Sequence, residues 1–171
     1  MRYGSLILMG CLSLGVAAQE PVVKGEALYV AQARKQMADI PDSARTDEKG
    51  LNSLRPYVVQ LESMMRWTAN DPAWKGRRDA WAQEVLRSRT VLQVSKLLLE
   101  LESNTSWDAV DAGWKKSRNG WIQKVKAVRS RKALAERLME YEANLNWDFM
   151  EEDWKGARDG WVENVSNAGN Q

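Results

Sequence analysis

A chain of 171 residues, 44% hydrophobic and 28% charged, is sized for one globular domain and is too highly charged for a multi-span membrane protein. It has no histidine and a single cysteine, which removes the commonest general base and metal ligand, disulfide frameworks and cysteine-rich zinc sites. A net charge of +2 gives no bulk electrostatic attraction to nucleic acid or to an anionic membrane surface, so no nucleic-acid partner is expected.

Residues 1–18, MRYGSLILMGCLSLGVAA, carry Arg2, an apolar run from Ser5 to Ala17, and small residues at Val16 and Ala18 before Gln19. This is the pattern of a secretory signal peptide, too short in its apolar part to anchor a protein in a bilayer. An exported protein is expected, periplasmic in a bacterium or extracellular. A second cut, within Leu8-Met9-Gly10-Cys11, resembles a lipobox and would lipidate Cys11, giving an outer-membrane lipoprotein. It leaves about six apolar residues ahead of the cut, against the roughly 7–15 of a signal h-region, which favours cleavage after Ala18. That cleavage discards both Arg2 and Cys11. Membrane contact is then expected only through the leader or a lipid.

Residues 19–50 divide into a predicted helix from Gly25 to Ala38, GEALYVAQARKQMA, and a polar linker from Asp39 to Gly50 that contains Pro41. The helix lacks the tryptophan motif found downstream and is expected to cap the fold at its N-terminal end.

Residues 51–171 hold the main signal. All nine tryptophans fall on a period of 40 residues: Trp67, Trp107 and Trp147; Trp74, Trp114 and Trp154; Trp81, Trp121 and Trp161. Lys75/Lys115/Lys155, Arg78/Arg118/Arg158 and Val85/Val125/Val165 keep the same register, so units centred on 67–85, 107–125 and 147–165 are tandem repeats. Between these cores, Leu54-Val58-Leu61-Met65, Val94-Leu98-Leu101 and Leu134-Leu138-Tyr141-Leu145 follow helical i, i+4, i+7 spacing and predict an A helix in each unit. Ser53, Thr90 and Ser130 are the expected N-caps, with Pro56 in the first turn of the first A helix. The cores themselves predict B helices that start near Asp71-Pro72, Asp111 and Glu151, where acidic residues suit the helix dipole, and run to about Leu86, Lys126 and the C-terminal region.

The expected fold is therefore all-α. Three tandem 40-residue helical hairpins stack as a short α-solenoid or close into a compact helical bundle. The final segment SNAGNQ is expected to fray. In an open stack the last B helix would leave a face around Trp161 and Val165 uncovered, a candidate partner or homodimer surface, unless the N-terminal helix covers it.

On a helix, Trp74, Arg78, Trp81 and Val85 fall within about 60° of one another. A guanidinium between two indoles predicts a cation–π ladder in each unit. Gly76, Gly120, Gly156 and Gly160 lie off that stripe and predict close approach of a neighbouring helix. The bland reading makes the indoles core. The sharper one makes Trp74, Arg78, Trp81, Trp114, Arg118, Trp121, Trp154, Arg158, Trp161 and Val165 candidate binding residues, since tryptophan and arginine dominate protein interfaces and indoles also stack on sugars. Both hold together if Trp67, Trp107 and Trp147 are buried at the A-to-B corner while part of the stripe stays accessible. No nucleophile elbow, phosphate loop, metal cage or cofactor motif is present in the sequence. The expected function is non-enzymatic binding of a protein or peptide partner. A carbohydrate or cell-wall binding module is the alternative, and a carboxylate-dependent glycan-cleaving enzyme comes third.

Overall fold

A computed structural model describes residues 50–171, so the leader, Cys11, the predicted helix from Gly25 to Ala38 and the linker ahead of Gly50 lie outside the described residues. The described residues form α1 (Leu51–Ser63), α2 (Trp74–Arg87), α3 (Val91–Ser103), α4 (Trp114–Lys126), α5 (Arg131–Glu142) and α6 (Trp154–Asn170). A short 3-10 turn precedes each even-numbered helix, at Trp67–Ala69, Trp107–Ala109 and Trp147–Phe149. Among the described residues there is no β-strand, and the protein is all-α.

Local chemistry accounts for most of the helix boundaries. Thr90 caps α3 in a reciprocal box with Gln93, and Ser130 accepts the amide of Ala133 at the start of α5. The α1 helix differs from its expected start: Gly50, in the left-handed region at φ 79°, occupies the cap position, and Ser53 donates to the Gly50 carbonyl from inside the first turn. Pro56 consequently sits in the second turn rather than the first, where its missing amide deletes one helical bond. The B helices begin three residues later than expected, at the tryptophans. Asp71 and Asp111 instead form the preceding turns, their carbonyls accepting from Trp74 and Trp114 and their carboxylates from the amides of Ala73 and Gly113.

The three A helices, α1, α3 and α5, pack on one another, and each B helix lies in the groove between its own A helix and the A helix of the next unit. This holds for the last unit too, because α6 packs against α1. The indole N–H of Trp81 donates to the Leu97 carbonyl at 2.9 Å, Trp121 to Arg137 at 3.1 Å and Trp161 to Tyr57 at 3.0 Å, so the third contact closes on the first unit in the register of the other two. The corners close likewise. Ser106 donates to Ala69, Asn146 to Ala109 and Arg66 to Phe149; Asp71 donates to Asn104, Asp111 to Asn144 and Glu151 to Met64, at 2.7–2.9 Å. A two-bond bridge thus ties every corner to both others.

This closed packing is the compact-bundle alternative, and it removes the uncovered C-terminal face. Trp161 and Val165 are buried beneath α1 rather than presented for a homodimer. The tail does not fray either: α6 continues to Asn170, with Ala168 buried and Gly169 so close to α5 that an added Cβ would stand 2.7 Å from the Ala135 methyl.

Candidate functional site

The sequence treats the three tryptophans of a unit as one evenly spaced series, whereas the structure separates them. Trp74, Trp81, Trp114, Trp121, Trp154 and Trp161 are at most 2% exposed. Within each B helix the two indoles meet edge to face, with ring centroids 5.6, 5.1 and 5.4 Å apart. In the second unit Tyr141 adds a third ring against both Trp114 and Trp121, and its hydroxyl bonds to Thr105. Burial pushes that phenol's pKa well above its ordinary value. Val85, Val125 and Val165 complete the stripe in the core.

Trp67, Trp107 and Trp147, whose burial at the corners is the condition for combining the two readings, are 49%, 51% and 40% exposed. The reason is helical phase. These residues lie in the 3-10 turns, seven positions ahead of a helix that has not yet begun, so the stripe defined by Trp74 and Trp81 does not extend back to Trp67.

The arginines follow the corner indoles rather than the buried ones. Arg78 lies 4.7 Å from the Trp67 ring centroid, Arg118 5.3 Å from Trp107 and Arg158 5.8 Å from Trp147, and Lys75 and Lys115 approach the first two rings at 5.2 and 5.8 Å. The cation–π contacts therefore run from B helix to corner, in place of a ladder between Trp74 and Trp81.

Behind each arginine stands a carboxylate that the tryptophan-centred reading missed, although Glu62, Glu102 and Glu142 also recur every 40 residues. Arg78 Nε donates to Glu62 at 2.7 Å and Arg158 Nε to Glu142 at 2.8 Å; Arg118 grips Glu102 through both Nε and Nη2. The Trp74 and Trp154 indole N–H groups share the Glu62 and Glu142 carboxylates at 3.0 and 3.1 Å. In the middle unit Arg118 spans both oxygens of Glu102, and the Trp114 N–H makes no hydrogen bond among the described residues. Burial raises the Glu62 pKa above the usual carboxylate range, against the opposing pull of Arg78 and the Trp74 hydrogen bond. Each corner indole is thus braced from below by an arginine that a nearly buried carboxylate holds in place.

The expected close approach at the glycines is absent: an added Cβ at Gly76, Gly120, Gly156 or Gly160 would meet nothing within 4 Å. These residues lie on the outward side of the B helices.

Residues 48–104, which take in α1, α2 and α3, match a family model described as Domain of unknown function (DUF8799). No curated protein and no solved structure matches the chain. Among the described residues no helix is long and apolar enough to cross a membrane.

Proposed function

We propose that this is an exported, non-enzymatic binding protein, periplasmic in a bacterium, and that it holds a protein or peptide partner on the end of the bundle where the three corners meet. The observation that carries the reading is the exposure of Trp67, Trp107 and Trp147 in a molecule that buries its six other tryptophans. Tryptophan and arginine are the residues most enriched where binding energy concentrates, and here they occur as three stacked pairs on corners bonded to one another. An indole fixed in advance loses little side-chain entropy on binding. The candidate residues of the buried stripe act in this reading as the scaffold, and Arg78, Arg118 and Arg158 as braces for the contact surface.

The best shielded carboxylates, Glu62, Glu102 and Glu142, are each held by an arginine, which favours binding over glycan cleavage. A glycan partner remains the second reading, favoured by the flat indole faces at the corners.

Capture of partners from the native envelope with the mature chain, compared with a Trp67→Ala, Trp107→Ala, Trp147→Ala variant of unchanged circular dichroism, tests the proposal. Loss of a specific protein band supports it; identical profiles move the partner surface elsewhere. Recovery of glycan in place of protein selects the second reading.

A further inference from the structure

The three contacts between successive units share a backbone pattern but differ in their side chains. Two of them join helices that follow one another in the chain, α2 to α3 and α4 to α5, across the connectors at Ser88–Thr90 and Val128–Ser130. The third joins α6 to α1, which are not consecutive, and here an open groove of about 350 Å³ runs between the end of α6 and the start of α1. Asn52, Pro56, Tyr57, Asn164, Asn167 and Gln171 form most of its lining.

The chemistry of that lining departs from the repeat. In the 40-residue register, Lys96 stands for Pro56 and Leu97 for Tyr57; Glu84 and Lys124 stand for Asn164, and Arg87 and Ala127 for Asn167. The second contact adds Lys132 for Asn52, Glu136 for Pro56 and Arg137 for Tyr57. Charged groups at the first two contacts form ion pairs, Arg77 with Glu84 and Glu100 at the first, and Lys124 and Arg137 with Glu140 at the second. Among the described residues no charged side chain lines the groove at the third. Every charged position has been exchanged for an amide, a ring or a phenol.

We infer that this groove is a binding site for a neutral saccharide of one or two rings. Its volume lies at the lower end of the range for small-molecule sites, which is roughly 300–1,000 Å³. Among the described lining residues a charged ligand finds no charged side chain, the Arg55 guanidinium beneath Asn52 being engaged by the Asn52 side-chain oxygen and the Ser88 carbonyl, whereas a polyhydroxyl ligand exchanges bonds to water for bonds to amides. Asparagine and glutamine offer a donor and an acceptor side by side, which matches adjacent sugar hydroxyls. Among the described residues no partner takes up the side-chain amides of Asn164 and Asn167 or the Tyr57 hydroxyl at the groove. The half-buried Tyr57 ring supplies the apolar surface against which the C–H face of a sugar ring packs. The site is separate from the corner tryptophans and does not depend on the partner proposed for them.

The test is a titration of the full mature chain with maltose, cellobiose and di-N-acetylchitobiose, followed by the side-chain amide and indole resonances in proton–nitrogen NMR spectra. The expected result is saturable movement of the Asn164, Asn167 and Gln171 amide signals with one of the three sugars. Asn164→Lys, which installs the residue found at the same place in the second unit, should weaken that binding about tenfold or more while leaving the remaining spectrum in place, as loss of one or two hydrogen bonds predicts. Silence of the groove signals at millimolar concentrations of all three sugars overturns the assignment. So does movement confined to the Trp67, Trp107 and Trp147 indoles, which would place any sugar at the corners, and so does unaltered affinity in the lysine variant.

Discussion

Two sets of tryptophans, drawn from one motif and spaced by the same seven residues, occupy opposite environments. The indoles of the B helices are packed in edge-to-face pairs and give their N–H groups to the interior; those of the 3-10 turns stand half in water on an arginine. Even spacing in sequence becomes even spacing on a surface only while the helix lasts. The break between Ala69 and Trp74, where Asn70 is extended, Asp71 bonds to the next corner and a turn follows, resets the phase and turns the first indole outward. Within one unit, the first tryptophan is available to others and the second and third are available only to the fold.

The contrast can be broken most directly at the buried set. Trp121→Ala and Trp161→Ala should each cost ~3–5 kcal/mol in chemical denaturation, as for other fully buried aromatic truncations, and should cost alike because both indoles bridge to the next A helix in the same way. A much cheaper Trp161 would mean that the ring does not close in solution. Next comes the carboxylate that links the two sets. Glu62→Ala should cost on the order of 1–3 kcal/mol, since it leaves the Trp74 indole N–H and the Arg78 guanidinium without their acceptor.

Its pH dependence carries a sign. Because the folded-state pKa of Glu62 is raised above 4.5, the folded chain binds this proton more tightly than the unfolded one. The contribution of Glu62 to stability is then full below pH 4.5 and is lost as the pH rises through the raised value. The stability of the wild type relative to Glu62→Gln should therefore fall between pH 4 and pH 7 in urea titrations, and a rise would show that the Arg78 pair outweighs burial.

Two smaller effects sharpen the comparison from the outer side. Gly120→Ala, on the open face of α4 beside a buried indole, should stabilise the protein by ~1 kcal/mol, because it removes a mid-helix glycine where nothing crowds the new methyl. Destabilisation in a thermal melt would put a neighbour on that face. Trp107→Ala should cost only ~0.5–1 kcal/mol, the worth of an exposed cation–π contact, and a loss as large as that at Trp121 would make the corner indole part of the core.

How much of this was written legibly in the sequence follows the range of the interactions. The A helices and the caps at Thr90 and Ser130 were readable, because each depends on neighbours within a turn or two. The start of α1 was misplaced because Gly50 replaces the hydroxyl caps found at positions 90 and 130, and Ser53 is an attractive decoy. The carboxylates at 62, 102 and 142 had a signal in the same 40-residue period but sat on the other helix of the hairpin, outside the motif that drew the eye. The choice between an open stack and a closed bundle was not legible. It depends on Trp161 meeting Tyr57 across more than a hundred residues, and the local sequence of the third unit is as compatible with an open stack as with a ring. The exposed end belonged to the open alternative alone, because a helix face counts as free only if no distant part of the chain returns to it.

Closure of α6 onto α1 also fixes how many units the molecule can hold. A solenoid has no preferred length, since each added hairpin finds the same vacancy as the last. Here the third hairpin fills the vacancy left by the first, and a fourth would have to break the two corner hydrogen bonds of one seam and part α6 from α1 or its equivalent to enter. The arrangement is in that sense a counted object. Asn52 and Gln171 border the same groove, so a chain engineered to join them and to open instead at Ser88–Thr90 or Val128–Ser130 would bring the same helices to the same neighbours. The order in which the hairpins are strung is a property of the polypeptide, while the object they build is a cycle.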